Sequence, residues 1–139
     1  WNRPEETAAV LDNGWLHTGD AGFMDADGYL HIVDRVKDMI VSGGENVYSA
    51  EVENALSTMP GVAACAIIAA PDEDFGERVH AVIVPAKETE ITLEAVRTHC
   101  RTTIAGYKAP RSISLVDTLP LSPAGKVLKH VLRAELTDD

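Results

Sequence analysis

SAEVENALSTMPGVAACAIIAAPDEDFGERVHAVIVPA, residues 49–86, is the stretch whose reading decides the fold. Val52, Ala55, Leu56 and Met59 stand at i, i+3, i+4 and i+7, the apolar stripe of an amphipathic helix. Ser49 is placed to cap that helix, and Glu51 and Glu53 in its first turns suit its positive end. Pro60-Gly61 stops it. VAACAIIAA, 62–70, reads as a buried strand by composition. PDEDFGE reads as a polar loop and RVHAVIVPA, 78–86, as a second strand.

The same patterns continue on both sides. Downstream, TLEAVRTHCRTTI is a helix opened by Thr92, with Leu93, Val96, Cys100 and Ile104 on one stripe. AGYKAP breaks it, RSISLVD is a third strand, and KVLKHVLRAEL is a last helix presenting Val127, Leu128, Val131 and Leu132. Upstream, KDMIVSGGENVY is an apolar strand ending at Gly43-Gly44, and two strands flank the DADG turn at 25–28. RPEETAAVL makes a short helix near the start, before the turn signal NGW. From about residue 38 the order is strand, helix, strand, strand, helix, strand, loop, helix. That order predicts an α+β domain, a small mixed sheet with packed helices, preceded by strands. The boundary is expected between Asp34 and Lys37.

Composition narrows the function classes. The chain has 139 residues, net charge −10 and 45% hydrophobic residues, enough for an aliphatic core. The acidity argues against nucleic-acid binding, which needs a basic patch. No apolar run approaches the roughly 20 residues of a membrane helix. The two cysteines, Cys65 and Cys100, match no zinc or redox spacing and read as buried free thiols in a reducing, cytoplasmic setting. The chain starts with Trp1 and shows no leader, so its start reads as cut from something longer. The five histidines show no metal-ligand spacing, and no serine–histidine arrangement suggests a triad.

Several short motifs carry chemistry. Asp20 in HTGD follows a glycine turn, where a carboxylate either caps the turn or accepts hydrogen bonds from a vicinal diol such as a ribose. Arg35 in VDRVKD is either a strand-end ion-pair partner or a fork for ribose and phosphate oxygens. SGGEN brings two adjacent glycines, which imply positive φ or close backbone approach. Neither it nor LSPAGK completes a G-x-x-x-x-G-K-[ST] phosphate loop. Lys126 follows Gly125 on a proline-punctuated loop at the expected helix start. There it is either a solvated lysine or a charge delivered to a phosphate. Phe75, Tyr107, Lys108 and Arg111 are either loop packing or a clamp for an adenine and its phosphates.

Taken in order, GWLHTGD, GYLHIVDRVKDMIVSGGENVYSAEVE, YKAPRSI and LPLSPAGKVLK resemble the C-terminal end of the ATP-dependent adenylate-forming superfamily. Within it they are most similar to the acyl-CoA synthetases, the fatty-acid and aryl-acid CoA ligases. The resemblance covers essentially the whole chain. It implies a two-step reaction: a carboxylic acid, here expected to be a fatty acid, attacks ATP to give acyl-AMP, and CoA then displaces AMP. Loading of a carrier protein and a non-catalytic α+β binding module are the alternatives. It implies that residues 1–36 are the tail of a large AMP-binding domain and 37–139 a mobile lid. The N-terminal domain of the same enzyme is then the partner, and it holds most of the ATP, CoA and Mg²⁺ contacts. The fragment alone is expected to be inactive.

By the same resemblance, Lys126 is the adenylation lysine, Asp20 and Arg35 hold the nucleotide ribose and phosphate, and Lys37 is the hinge. Many relatives have aspartate at that hinge, so lysine marks a subgroup. Gly43 and Gly44 line the pantetheine tunnel with Glu45 beside them. Phe75, Tyr107, Lys108 and Arg111 fall where some relatives hold the CoA nucleotide. Ala109 departs from a basic residue that some of them carry. No metal site is expected in the chain itself.

Overall fold

A computed structural model describes residues 1–87 and 89–137. The chain divides into two compact units, Trp1–Lys37 and the segment from Asp38 onward.

In the first unit, α1 (Pro4–Val10) has proline at its first position, where no intrahelical donor is needed. β1 (Leu11–Asp12) and β2 (Trp15–Leu16) pair antiparallel across Asn13-Gly14, both at positive φ. β3 (Asp20–Met24) and β4 (Leu30–Arg35) form a second antiparallel hairpin with a bulge after Ala21. Its turn is held by Asp25, whose Oδ1 accepts from the Asp27 and Tyr29 amides. None of residues 1–37 is buried, and Trp15, Phe23, Met24 and Leu30 are exposed.

The second unit is built on a five-stranded sheet. β5 (Ile40–Ser42) and β6 (Glu45–Val47) form a tight hairpin, followed by α2 (Ser49–Ser57). β7 (Val62–Asp72) and β8 (Gly76–Pro85) are the long central pair, antiparallel from Val62↔Pro85 to Asp72↔Gly76. α3 (Leu93–Cys100) leads to β9 (Ser112–Leu115), which pairs parallel to β8, and α4 (Lys129–Thr137) closes the unit. β8 lies between β7 on one side and β5 and β9 on the other. Among the described residues no helix is long and apolar enough to cross a membrane.

Both sheet faces are covered, which is why 66–70 reads as an unbroken apolar run. Ile67, Val79, Ala81 and Ile83 pack with Val52, Ala55 and Leu56 of α2 and Val96 and Cys100 of α3. Ala66, Ile68 and Val82 point the other way, onto Leu132 of α4 with Leu119 and Val127. The period of two along the strand thus assigns alternate residues to two cores.

Three expectations are corrected here. The 38–48 segment is two strands, because Gly43-Gly44 folds the chain back instead of ending it. Ser49 does not cap α2: it lies inside the helix, fully buried, while Tyr48 holds the cap position without a side-chain bond. The last helix starts at Lys129, for reasons that lie in the loop before it. Thr92 does cap α3, accepting from the Ala95 amide.

Pairing of β8 with β9 encloses His80, whose Nδ1 lies 2.8 Å from Ser112 Oγ and Nε2 3.1 Å from Ser114 Oγ. Burial, reinforced by the nearby Arg78 guanidinium, pushes the imidazole down to about 4. A folded pKa below the unfolded one means that the unfolded state takes up the proton first as pH falls. The His80 contribution is therefore whole above about pH 6.5 and lost on acidification towards 4. Urea unfolding should show a loss of roughly 1.5 kcal/mol between pH 6.5 and 5. His80→Gln should remove that slope, and an equally steep slope in the variant would refute the assignment.

Candidate functional site

The Lys126 loop is a small hairpin. Leu121 bridges Val127, the Ser122 amide donates to the Lys126 carbonyl at 2.8 Å, and the Leu128 amide to the Pro120 carbonyl at 2.8 Å. Residues 127–128 thus make their backbone bonds across the loop, which is why α4 cannot begin before Lys129. Lys126 lies before the first turn of that helix, and the expected help from the helix N-terminus is weaker there. The tip is held by the Gly125 amide on the Ser122 carbonyl and by the Lys126 amide on Ser122 Oγ. Gly125 has φ +75° with no atom within 4 Å of a would-be Cβ, so backbone conformation is what calls for glycine. The Lys126 side chain is exposed, and no partner engages its ammonium among the described residues.

Behind this arm stand two pins that the sequence reading missed. Lys129 Nζ lies 2.6 Å from Ser49 Oγ and 2.8 Å from Glu53 Oε1. One turn on, Arg133 Nη2 donates to Asp38 Oδ1 at 2.7 Å. Cations four apart on one helix face were the available signal. Their partners, 80 and 95 positions away, were not readable.

The Gly43-Gly44 turn joins β5 to β6 with Ser42 opposite Glu45. Both glycines have positive φ, +60° and +85°, as a two-residue hairpin turn of this hand requires. The Gly43 amide donates to the Phe75 carbonyl at 2.9 Å, and the Phe75 ring would lie 2.9 Å from a Cβ at Gly43. Arg111 stacks its guanidinium on that ring, 3.8 Å from its centroid. Gly43, Phe75 and Arg111 are therefore one contact group, and Glu45 is exposed at its edge.

Tyr107 and Lys108 form a separate contact. They lie on the 3₁₀ turn Gly106–Lys108, and the ammonium is 5.8 Å from the Tyr107 ring centroid. Lys108 Nζ also lies 2.7 Å from each carboxylate oxygen of Glu51. That bond raises the lysine pKa against a smaller opposing effect of burial, so the group stays charged. Ala109 is buried in the larger core.

In the first unit, Asp20 and Arg35 are cross-strand partners with Nε 2.9 Å from Oδ1. The Gly19 carbonyl accepts from the Val36 amide, which closes the end of this hairpin. Lys37 is exposed in the 3₁₀ turn Val36–Asp38, where the two units divide. Among the described residues no group of three or more His, Cys, Asp or Glu could hold a metal ion.

An exposed lysine at a hairpin tip and a paired-glycine turn thus stand on one α+β unit. The family model described as AMP-binding enzyme C-terminal domain matches residues 51–126. The chain is 53% identical over 133 residues to a feruloyl-CoA synthase from an Amycolatopsis species, covering 96% of this chain and 27% of the relative. It is 48% identical over 135 residues to the long-chain-fatty-acid–CoA ligase FadD13 of Mycobacterium tuberculosis, covering 97% of this chain and 27% of the relative. ATP-bound MatB from Rhodopseudomonas palustris superimposes with a TM-score of 0.87 at 39% identity, over 99% of this chain and 28% of that one. The chain belongs to the AMP-binding enzyme C-terminal domain family, and it spans about a quarter of the length of these relatives.

Proposed function

We propose that the chain is the C-terminal part of an acyl-CoA ligase acting with a large ATP- and acyl-binding domain, residues 1–36 being the tail of that domain and 37–139 the lid. The observation that carries this is the exposed Lys126 ammonium, without a partner among the described residues, at the head of a hydrogen-bonded hairpin. In the first half-reaction the substrate carboxylate attacks the α-phosphorus of ATP, the bond to the β,γ-diphosphate breaks, and acyl-AMP and pyrophosphate result. Lys126 neutralises charge that builds on the phosphoryl oxygens. Asp20 accepts from the ribose hydroxyls, and Arg35 orients that carboxylate while facing ribose and phosphate.

In the second half-reaction the CoA thiolate attacks the acyl carbonyl and AMP leaves. The lid turns about Lys37 between the steps. Gly43 and Gly44 then flank the pantetheine arm with Glu45 beside it. Arg111 on Phe75, and Tyr107 with Lys108, face the CoA nucleotide, Lys108 giving up part of its bond to Glu51. The exposed apolar residues of the first unit suit burial against the large domain. A fatty acid is the proposed substrate.

The test is pyrophosphate release by the full-length enzyme across fatty, aryl and short-chain acids, with free CoA as acceptor. Fatty-acid-dependent release followed by acyl-CoA formation is expected. Release with aryl acids alone would overturn the substrate class. Transfer only to a carrier protein would overturn the acceptor, and no release with any acid would overturn the function.

A further inference from the structure

Provided that Lys126 is the adenylation lysine, as proposed above, we infer that Lys129 is a positioning residue for the first half-reaction, seated between Ser49 and Glu53 so as to fix where the arm stands. Lys129 is the first residue of α4 and directly follows Leu128, the root of the hairpin. Three positions separate it from Lys126, a lever of roughly 10 Å when extended. Its side chain is only 15% exposed.

The socket is tied into the core. Glu53 Oε1 receives the Lys129 ammonium and also the Ile67 amide at 2.9 Å, and Ile67 is a fully buried residue of β7. Ser49 is fully buried as well. The ammonium thereby links the moving arm to the central strand through one carboxylate. Removing it leaves a half-buried carboxylate short of its cation and frees the root of the arm.

The other parts of the unit do not depend on this contact in the same way. α2 keeps Val52, Ala55 and Leu56 in the core and the Glu51–Lys108 pair. The Gly43-Gly44 turn is held by Phe75, and the Val41 amide by Glu77. α4 beyond its first residue keeps Leu132 in the second core and the Arg133–Asp38 bond. Loss of Lys129 should therefore blur the position of Lys126 while the face used with CoA stays formed.

The experiment compares Lys129→Met, Lys129→Arg and Lys126→Ala in the full-length enzyme. Both half-reactions are followed: pyrophosphate release, and thioester formation from supplied acyl-adenylate and CoA. Lys129→Met should lower kcat for adenylation by about 10- to 100-fold, the scale of a small misplacement of a catalytic group. KM for ATP and thioester formation should stay near the parent values, and Lys129→Arg should restore most of the rate. Adenylation unchanged in Lys129→Met, or both half-reactions lowered in proportion as by loss of folded protein, would overturn the role of Lys129. Full adenylation by Lys126→Ala would instead overturn the reading of Lys126, and the role of its support with it.

Discussion

Lys126→Ala in the full-length enzyme should lower acyl-adenylate formation by at least about 10²-fold, the usual cost of one lost charge-stabilising donor. Thioester formation from supplied acyl-adenylate should be nearly unchanged. The asymmetry is what the proposed role requires: an ammonium brought to the α-phosphate serves the step in which negative charge builds on the phosphoryl oxygens. The alanine variant should fold normally, because the Lys126 side chain is exposed and the hairpin is closed by backbone bonds and Ser122. Pyrophosphate release gives the first rate, and acyl-CoA formation from synthetic adenylate the second. Equal loss in both would reject the assignment.

Gly43→Val should act in the opposite sense, slowing thioester formation by at least about tenfold while adenylation persists. Two penalties meet at this residue. Its φ of +60° is a region that β-branched residues strongly avoid, at roughly 1–2 kcal/mol or more. A side chain would also start 2.9 Å from Phe75, whose ring carries the stacked Arg111 guanidinium and cannot withdraw without disturbing it. The turn must then shift at the place where the pantetheine arm is proposed to pass. Gly44→Ala is the natural control. Its φ is also positive, +85°, but it faces open space, so backbone strain alone applies and the effect should be smaller. Parental kcat/KM for CoA in Gly43→Val would refute a role for this turn.

Much of the second unit was legible in the sequence because its signals are local. The stripe of α2, the apolar run of β7 and the cap at Thr92 each depend on residues within two turns or one strand. The hairpin at Gly43-Gly44 was legible only in part: paired glycines announce positive φ, but a three-residue strand such as β6 has too little alternation to be read. The start of α4 was misplaced because the helical pattern at Val127 and Leu128 is real, yet both residues are used by the facing side of the loop.

The order of its motifs determined the family, and its apolar periodicities determined the α+β class, since both are properties of neighbours along the chain. Tertiary structure alone decided which charge meets which. Only there does Lys108 choose Glu51, Lys129 choose Glu53, Arg133 choose Asp38, and Arg111 lie on Phe75. The spacing of Lys129 and Arg133 is periodic, but their partners leave no trace in it: any lysine can serve any carboxylate within reach, and reach is set by the packing of α2 and α4 on opposite sides of one sheet.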